Sequence, residues 1–233
     1  EFPRSDALNH TFAGKLRRSV LFPTFTMTSR GIAQSLHRVR AAFAARKLEQ
    51  LGLSGLIRRV DNDALEQDPA DLLFLYERAK RGRPRRAIEF GSGQSTTFIA
   101  QGLYEAGDGH LWSLDGNARW LANTEATLPE HLLPYVTFVH SPLQVTERFG
   151  VPAWEYSTIP SGMWDFVFLD GPTLTDDVKL SCDLVTLADR LNPGAFGMID
   201  HRWRTAILAR EAAGDHLKMR FMPSLESFSF RRR

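Results

Sequence analysis

The chain has 233 residues, 43% hydrophobic and 24% charged, with a formal net charge of +2. That size and balance fit one large soluble domain, or one domain with an appendage, and exclude a disordered or fibrous chain. No run of 18 apolar residues exists, so no transmembrane helix is expected, nor is a secretory h-region.

The charge is unevenly spread. Residues 1–60 hold eleven Lys/Arg against three Asp/Glu, and the remainder holds eighteen against twenty-four. A basic arm of residues 1–62 is therefore expected ahead of an acidic domain of residues 63–233. Such an arm packs on its own domain, or meets an anionic surface, a membrane surface or a second copy of the chain.

Within the arm, residues 1–30 read as irregular or short helical structure. Ile32–Leu51 reads as a helix, with Ile32, Leu36, Val39, Phe43 and Leu48 near helical spacing. Asp68-Pro69 opens the next helix, and Leu72, Leu73, Leu75 and Tyr76 supply its apolar face.

From Arg86 the pattern alternates strand and helix. The expected strands are Arg86–Phe90, His110–Leu114, Tyr135–His140, Trp164–Leu169 and Ala195–Ile199. Helices are expected over Ser95–Glu105, Asn117–Leu128, Thr175–Leu191 and Trp203–Ala213. The tail reads as a hairpin of Leu217–Met222 and Leu225–Phe230. Strands alternating with helices imply βαβ units. The fold class is α/β: Rossmann-like, doubly wound, with a mainly parallel seven-stranded sheet, an antiparallel C-terminal hairpin and an N-terminal helical arm. Ser141–Gly162 is a longer stretch in which Trp154 and Tyr156 are candidates to wall a substrate pocket. The single cysteine, Cys182, lies in the expected Thr175–Leu191 helix and reads as a buried, inert thiol in a cytoplasmic protein.

The first strand runs into Gly91-Ser92-Gly93 and then a helix start. Gly91 permits a tight turn, Gly93 lets a ligand approach the backbone, and the helix N-terminus offers free N–H groups. Glu89 just before the turn would repel a pyrophosphate but suits a ligand carrying an ammonium or sulfonium. Asp115 ends the second strand, 22 residues after Gly93, where an acid can accept hydrogen bonds from both ribose hydroxyls. Thr96 occupies the third fingerprint position, which disfavours a dinucleotide cofactor.

These residues carry a resemblance. Residues 85–230, about two-thirds of the chain, look like a class I S-adenosylmethionine-dependent methyltransferase. Glu89-Phe90-Gly91-Ser92-Gly93-Gln94-Ser95-Thr96 resembles its first motif, and Trp164–Pro172 its fourth. Leu191–Gly197 resembles the turn before the fifth strand. The resemblance implies that Glu89, Gly91, Ser92, Gly93 and Ser95 line the methionine part of S-adenosylmethionine. It implies that Asp115 holds the ribose, with Gly116 and Asn117 beside the adenosine. His140-Ser141-Pro142-Leu143 would face the adenine edge, and Asp170 would lie near the methyl group.

The acceptor side is expected at Asp170 and Asp200-His201, which end neighbouring strands. Asp170 and His201 are the candidate catalytic residues, with His201 as base. Asp170, Asp200 and His201 together suit Mg²⁺ or Mn²⁺, a placement that resembles the metal-dependent catechol-type O-methyltransferases. That family's third ligand is an Asn where this chain has His201, and its lysine position is Thr173. A purely structural alternative makes Asp200 the cap of the Trp203 helix. Arg202 and Arg204 read as solvated helix-start arginines, with steering of an anionic acceptor as the other possibility. The leading function is O-methylation of a small-molecule or saccharide hydroxyl. The alternatives are a nucleic-acid methyltransferase using the basic arm, disfavoured by Asp170-Gly171-Pro172-Thr173, and a non-catalytic cofactor-binding or interaction protein.

Overall fold

The computed structural model describes residues 27–57 and 68–233, with side chains from Arg38 onward. The expectation for residues 1–26 and the expected boundary at 62/63 lie outside the described residues. Helix α1 spans Met27–Gln50 and α2 spans Pro69–Gly82. Asp68 caps α2 by accepting from the Ala70 N–H at 2.7 Å, and Pro69 supplies its fixed φ at the first position. The chain leaves α2 through Arg83 in the left-handed region. Ala44 and Leu48 of α1 join Leu72, Leu75 and Tyr76 of α2 in one core cluster. The buried face of α1 is thus set by Ala44 and Leu48, while Val39 and Phe43, expected on the apolar stripe, face solvent. Arg40 also donates to the Ser224 hydroxyl, tying α1 to the C-terminal hairpin.

The sheet begins with β1 (Arg86–Phe90), followed by α3 (Gln94–Ala106), β2 (His110–Asp115), α4 (Ala118–Thr127) and β3 (Val136–His140). After the insert come β6 (Trp164–Leu169), β7 (Leu191–Ile199), α6 (Trp203–Ala213) and the hairpin β8 (Leu217–Met222) and β9 (Ser227–Arg232). The order is β3-β2-β1-β6-β7-β9-β8, with β9 antiparallel to both neighbours and the other pairs parallel. Alternate residues face opposite sides. Ala87, Phe166 and Phe168 meet the α2–α3 layer, whereas Ile88, Phe90, Val167 and Leu169 meet α6 and its neighbours. Apolar packing on both faces is what a doubly wound parallel sheet requires.

Two segments differ from expectation. Ser141–Gly162 contains a second, two-stranded sheet, β4 (Leu143–Arg148) with β5 (Val151–Tyr156), turning at Phe149-Gly150 with both φ positive. The long helix expected over Thr175–Leu191 is reduced to α5 (Asp183–Leu187) and a 3-10 turn at Ala188–Arg190, and Leu191 already belongs to β7. The hairpin explains the loss. Trp154 N–H donates to Leu180 O at 2.8 Å and Cys182 N–H to Trp154 O at 2.9 Å, so β5 captures the backbone a helix would have used. Asp183 completes the link by accepting from Tyr156 N–H at 2.9 Å and Ser181 Oγ at 2.7 Å. Cys182 is fully buried, as expected, but in this junction rather than in a helix.

Candidate active site

β1 and β6 are adjacent strands whose following segments leave in opposite directions, the place where open α/β sheets bind ligands. The turns after them touch. A Cβ on Gly91 would fall 2.6 Å from Gly171 N, and Gly91 sits at φ +95, so only glycine fits there. Gly171 N–H donates to Phe90 O at 2.5 Å and Asp170 N–H to the same oxygen at 3.0 Å. The Gly171–Pro172 bond is cis.

Glu89 is fully buried beneath the glycine turn. Its carboxylate accepts from the hydroxyls of Ser95, of Thr96 at 2.6 Å and of Ser113 at 2.8 Å. Thr96 in turn accepts from Gly93 N–H at 3.0 Å. Burial pushes the Glu89 carboxyl up to about 7, against the pull of those three hydroxyls. Glu89 therefore braces the first turn of α3 from below, and Ser95 serves the same brace.

Asp115 lies at the end of β2 with one oxygen accepting from Ser92 N–H at 3.0 Å and Ser92 Oγ at 3.3 Å. The other accepts from Asn117 N–H at 2.8 Å. Asn117 then caps α4 through Arg119 and Trp120 N–H. Three of about four acceptor positions are used, so Asp115 fixes the glycine turn and keeps one free on Oδ1, with a second if the Ser92 hydroxyl at 3.3 Å turns away. Buried Ser141 continues this wall, donating its N–H to Asp115 O at 2.9 Å and accepting from Thr158 N–H at 2.9 Å. Leu143 covers Gly116, where a Cβ would lie 2.7 Å from Leu143 Cγ. His140 reaches Gly116 O at 3.2 Å from an exposed position. Glu89, Gly91, Ser92, Gly93, Ser95, Asp115, Gly116, Asn117 and Ser141 thus belong to one connected neighbourhood, in which Glu89, Ser95 and Ser141 are buried beneath the turn and strand ends and do not face a ligand.

At the ends of β6 and β7 the arrangement is less as expected. Asp170 lies 3.9 Å from the Arg202 guanidinium, which also donates to the backbone oxygens of Asp170 and of Pro172, the latter at 2.6 Å. Arg202 is therefore a half-buried clamp on the β6 turn, not a solvated helix-start residue. Asp200 does not cap α6, whose N-cap is Arg202. It accepts from Ser227 Oγ at 2.7 Å and lies 2.8 Å from His201 Nδ1. His201 adopts φ +47, a costly conformation for a non-glycine residue that turns its ring back onto Asp200. The Asp200 hydrogen bond pushes the His201 imidazole up to about 9. The third group beside this pair is Asp71 of α2, a residue sequence reasoning missed. Asp170 does not join the trio. Burial first, and Asp200 next, pushes the Asp71 carboxyl up to about 8. Two carboxylates and an imidazole with a buried, unsatisfied oxygen on Asp71 fit a divalent ion by donor chemistry. Such an ion supplies Lewis acidity that lowers the pKa of a bound hydroxyl.

Beside His201 opens a cleft of about 260 Å³, lined among others by Leu174, Thr175, Lys179, Trp203 and Arg204. Trp154 is not among its lining residues, and neither is Tyr156. Tyr156 instead packs its ring 5.4 Å from that of Phe90 and brings its hydroxyl over Gly171.

A glycine turn at a switch point, with an acid at the end of the adjacent strand, is the arrangement with which open α/β sheets bind nucleoside-containing ligands. Residues 88–201 match the family model described as a methyltransferase domain. The fold is similar to SAH-bound Podospora anserina methyltransferase PaMTH1, with 12% identity, 91% of this chain and 97% of that one covered, and a TM-score of 0.52. It is also similar to the O-methyltransferase from Bacillus cereus in complex with SAH, with 13% identity, 82% and 90% covered, and a TM-score of 0.50. No curated protein sequence matches significantly. Residues 88–201, just under half of the chain, thus carry a methyltransferase domain, on a fold shared with these methyltransferases. No described helix is long and apolar enough to cross a membrane.

Proposed function

We propose that the protein transfers a methyl group from S-adenosylmethionine to a hydroxyl of a small molecule, a saccharide among the candidates. One observation carries this reading: the glycine turn fixed by Glu89 and Asp115 packs against the β6 turn that follows Asp170, and the adjacent strand β7 runs into Asp200 and His201. The donor's ribose hydroxyls bond to Asp115, and its methionine part lies along Gly91–Gly93. Ser141 and Leu143 border the adenosine beside Gly116. The sulfonium methyl points toward Asp170, whose partial negative charge favours the cationic donor. Methyl transfer is an in-line displacement in which position and electrostatics carry most of the catalysis.

The acceptor enters beside Leu174, Thr175, Trp203 and Arg204, in a space suited to a small molecule. Its hydroxyl loses its proton to His201 in the form whose imidazole, held up to about 9 by Asp200, has itself lost its proton. The exposed Val39 and Phe43 on basic α1 support contact of the arm with an anionic surface or a second copy. A reduced, buried cysteine fits a cytoplasmic setting.

The test is methyl transfer from radiolabelled donor across a panel of phenolic, carboxylic and sugar hydroxyls. His201→Ala should lower kcat at least a hundredfold with donor affinity within about twofold. A His201→Ala enzyme of normal kcat would remove that residue from the reaction.

A further inference from the structure

Asp71 stands apart from the residues that the donor and acceptor account for. It comes from the first turn of α2, upstream of residues 88–201 that match the methyltransferase domain. It is only 4% exposed, and its Oδ1 is buried with no hydrogen-bond partner. One oxygen or nitrogen from each of Asp71, Asp200 and His201 lies within 4.8 Å of the others. Leaving a buried carboxylate oxygen unpartnered beside a second carboxylate is costly unless positive charge compensates it.

Among the neighbouring groups only His201 offsets the charge of Asp71, and none donates a hydrogen bond to its orphaned oxygen. His201 Nδ1 is engaged with Asp200 Oδ1, which also accepts the Ser227 hydroxyl. Arg202 is turned onto the backbone oxygens of Asp170 and Pro172. The orphaned oxygen beside two further ligand groups is what a cation that displaces the carboxyl proton would satisfy.

We infer that Asp71, Asp200 and His201 bind a divalent cation, with Asp71 rather than Asp170 as the second carboxylate ligand. The set differs from the strand-end trio expected from the sequence, because Asp170 is held by Arg202 and one ligand arrives from the helix that precedes the sheet. Two carboxylates and an imidazole favour Mn²⁺, Zn²⁺ or Co²⁺ over Mg²⁺, which prefers oxygen ligands and water. Three protein ligands leave coordination positions open toward the cleft where the acceptor hydroxyl is placed. The inference adds to the methyltransferase reading and can fail without it.

The experiment uses the full chain, stripped with chelator and titrated with Mn²⁺ alone, followed by calorimetry and by the electron paramagnetic resonance of free Mn²⁺. S-adenosylhomocysteine binding is measured on the same samples. One Mn²⁺ per chain is expected. Asp71→Asn and His201→Ala should each weaken it at least tenfold, and Asp170→Asn should leave it within twofold. Because Asn keeps the shape of the buried side chain, the metal-free melting temperature of Asp71→Asn should not fall, and Mn²⁺ should raise the melting temperature of the wild type and of Asp170→Asn far more than that of Asp71→Asn. Retained S-adenosylhomocysteine binding certifies that each variant is folded. Wild-type protein that binds S-adenosylhomocysteine but no Mn²⁺ overturns the cation site and spares the methyltransferase reading. Mn²⁺ binding that survives Asp71→Asn and disappears in Asp170→Asn overturns the ligand set.

Discussion

Glu89→Gln isolates the electrostatic cost of the brace under the glycine turn. The Glu89 carboxyl is completely buried and ionises near 7 in the fold, against 4.5 for an unperturbed group. Between those values the folded state holds a proton that the unfolded chain has released. Its contribution to stability is therefore fully present below about pH 4.5 and is lost as pH rises through 7. The difference corresponds to about 3 kcal/mol, with no discount for solvent because the group is fully enclosed. Gln is neutral throughout and keeps an acceptor for the Thr96 and Ser113 hydroxyls, while Ser95 can reverse its hydroxyl to accept from the new amide. The assay is urea unfolding of both proteins by circular dichroism at steps from pH 4.5 to 8. Wild type should lose about 3 kcal/mol relative to the variant across that range. Asp71 and Asp183 also carry raised pKa values from burial, but both proteins contain them, so they cancel in the difference. Two stability profiles that stay parallel within about 0.5 kcal/mol would refute the reasoning.

Two other substitutions probe the donor half. Asp115→Ala should weaken S-adenosylhomocysteine binding about a hundredfold, the loss of two charge-assisted hydrogen bonds at about 1.5 kcal/mol each. Part of that loss comes through the released Ser92 and Asn117 N–H groups, and calorimetry showing less than a threefold change would count against the ribose role. Gly91→Ala places a methyl 2.6 Å from Gly171 N at φ +95, so it should cost at least about 2 kcal/mol in thermal melts and abolish donor binding. A variant that melts normally would show that the two turns can separate.

The parts of the molecule that were legible in sequence are those governed by local rules. β1, β6 and α6 occupy the expected residues because short apolar runs bounded by Gly, Pro or a polar turn leave few alternatives. The first motif was readable for the same reason, since Gly91, Asp115 and Asn117 act within a few residues of their own strand ends. The Thr175–Leu191 segment was misread because its composition is helical while its hydrogen bonds go to Trp154, which no local pattern reveals. The hairpin that captures it did carry a signal, namely Leu143 and Val145 in alternation and the Phe149-Gly150 turn between two strands.

The acceptor side was harder because its chemistry is assembled from distant places. Asp170 and Asp200 were found by their strand ends, yet their partners decide what each can do. Arg202 draws Asp170 toward the β6 turn, and Ser227 from the C-terminal hairpin fixes Asp200. Asp71 reads in sequence as an ordinary acid in a helix's first turn, a position favoured by the helix dipole. Only the packing of α2 between α1 and α3 brings it to Asp200, through the burial of Ala44, Leu48, Leu72, Leu75 and Tyr76 in one cluster. The basic N-terminal segment thus has a structural task apart from any partner it contacts. Its helix backs the element that delivers Asp71, so truncation before Gln50 would loosen the acceptor side while leaving Gly91, Ser92 and Asp115 in place.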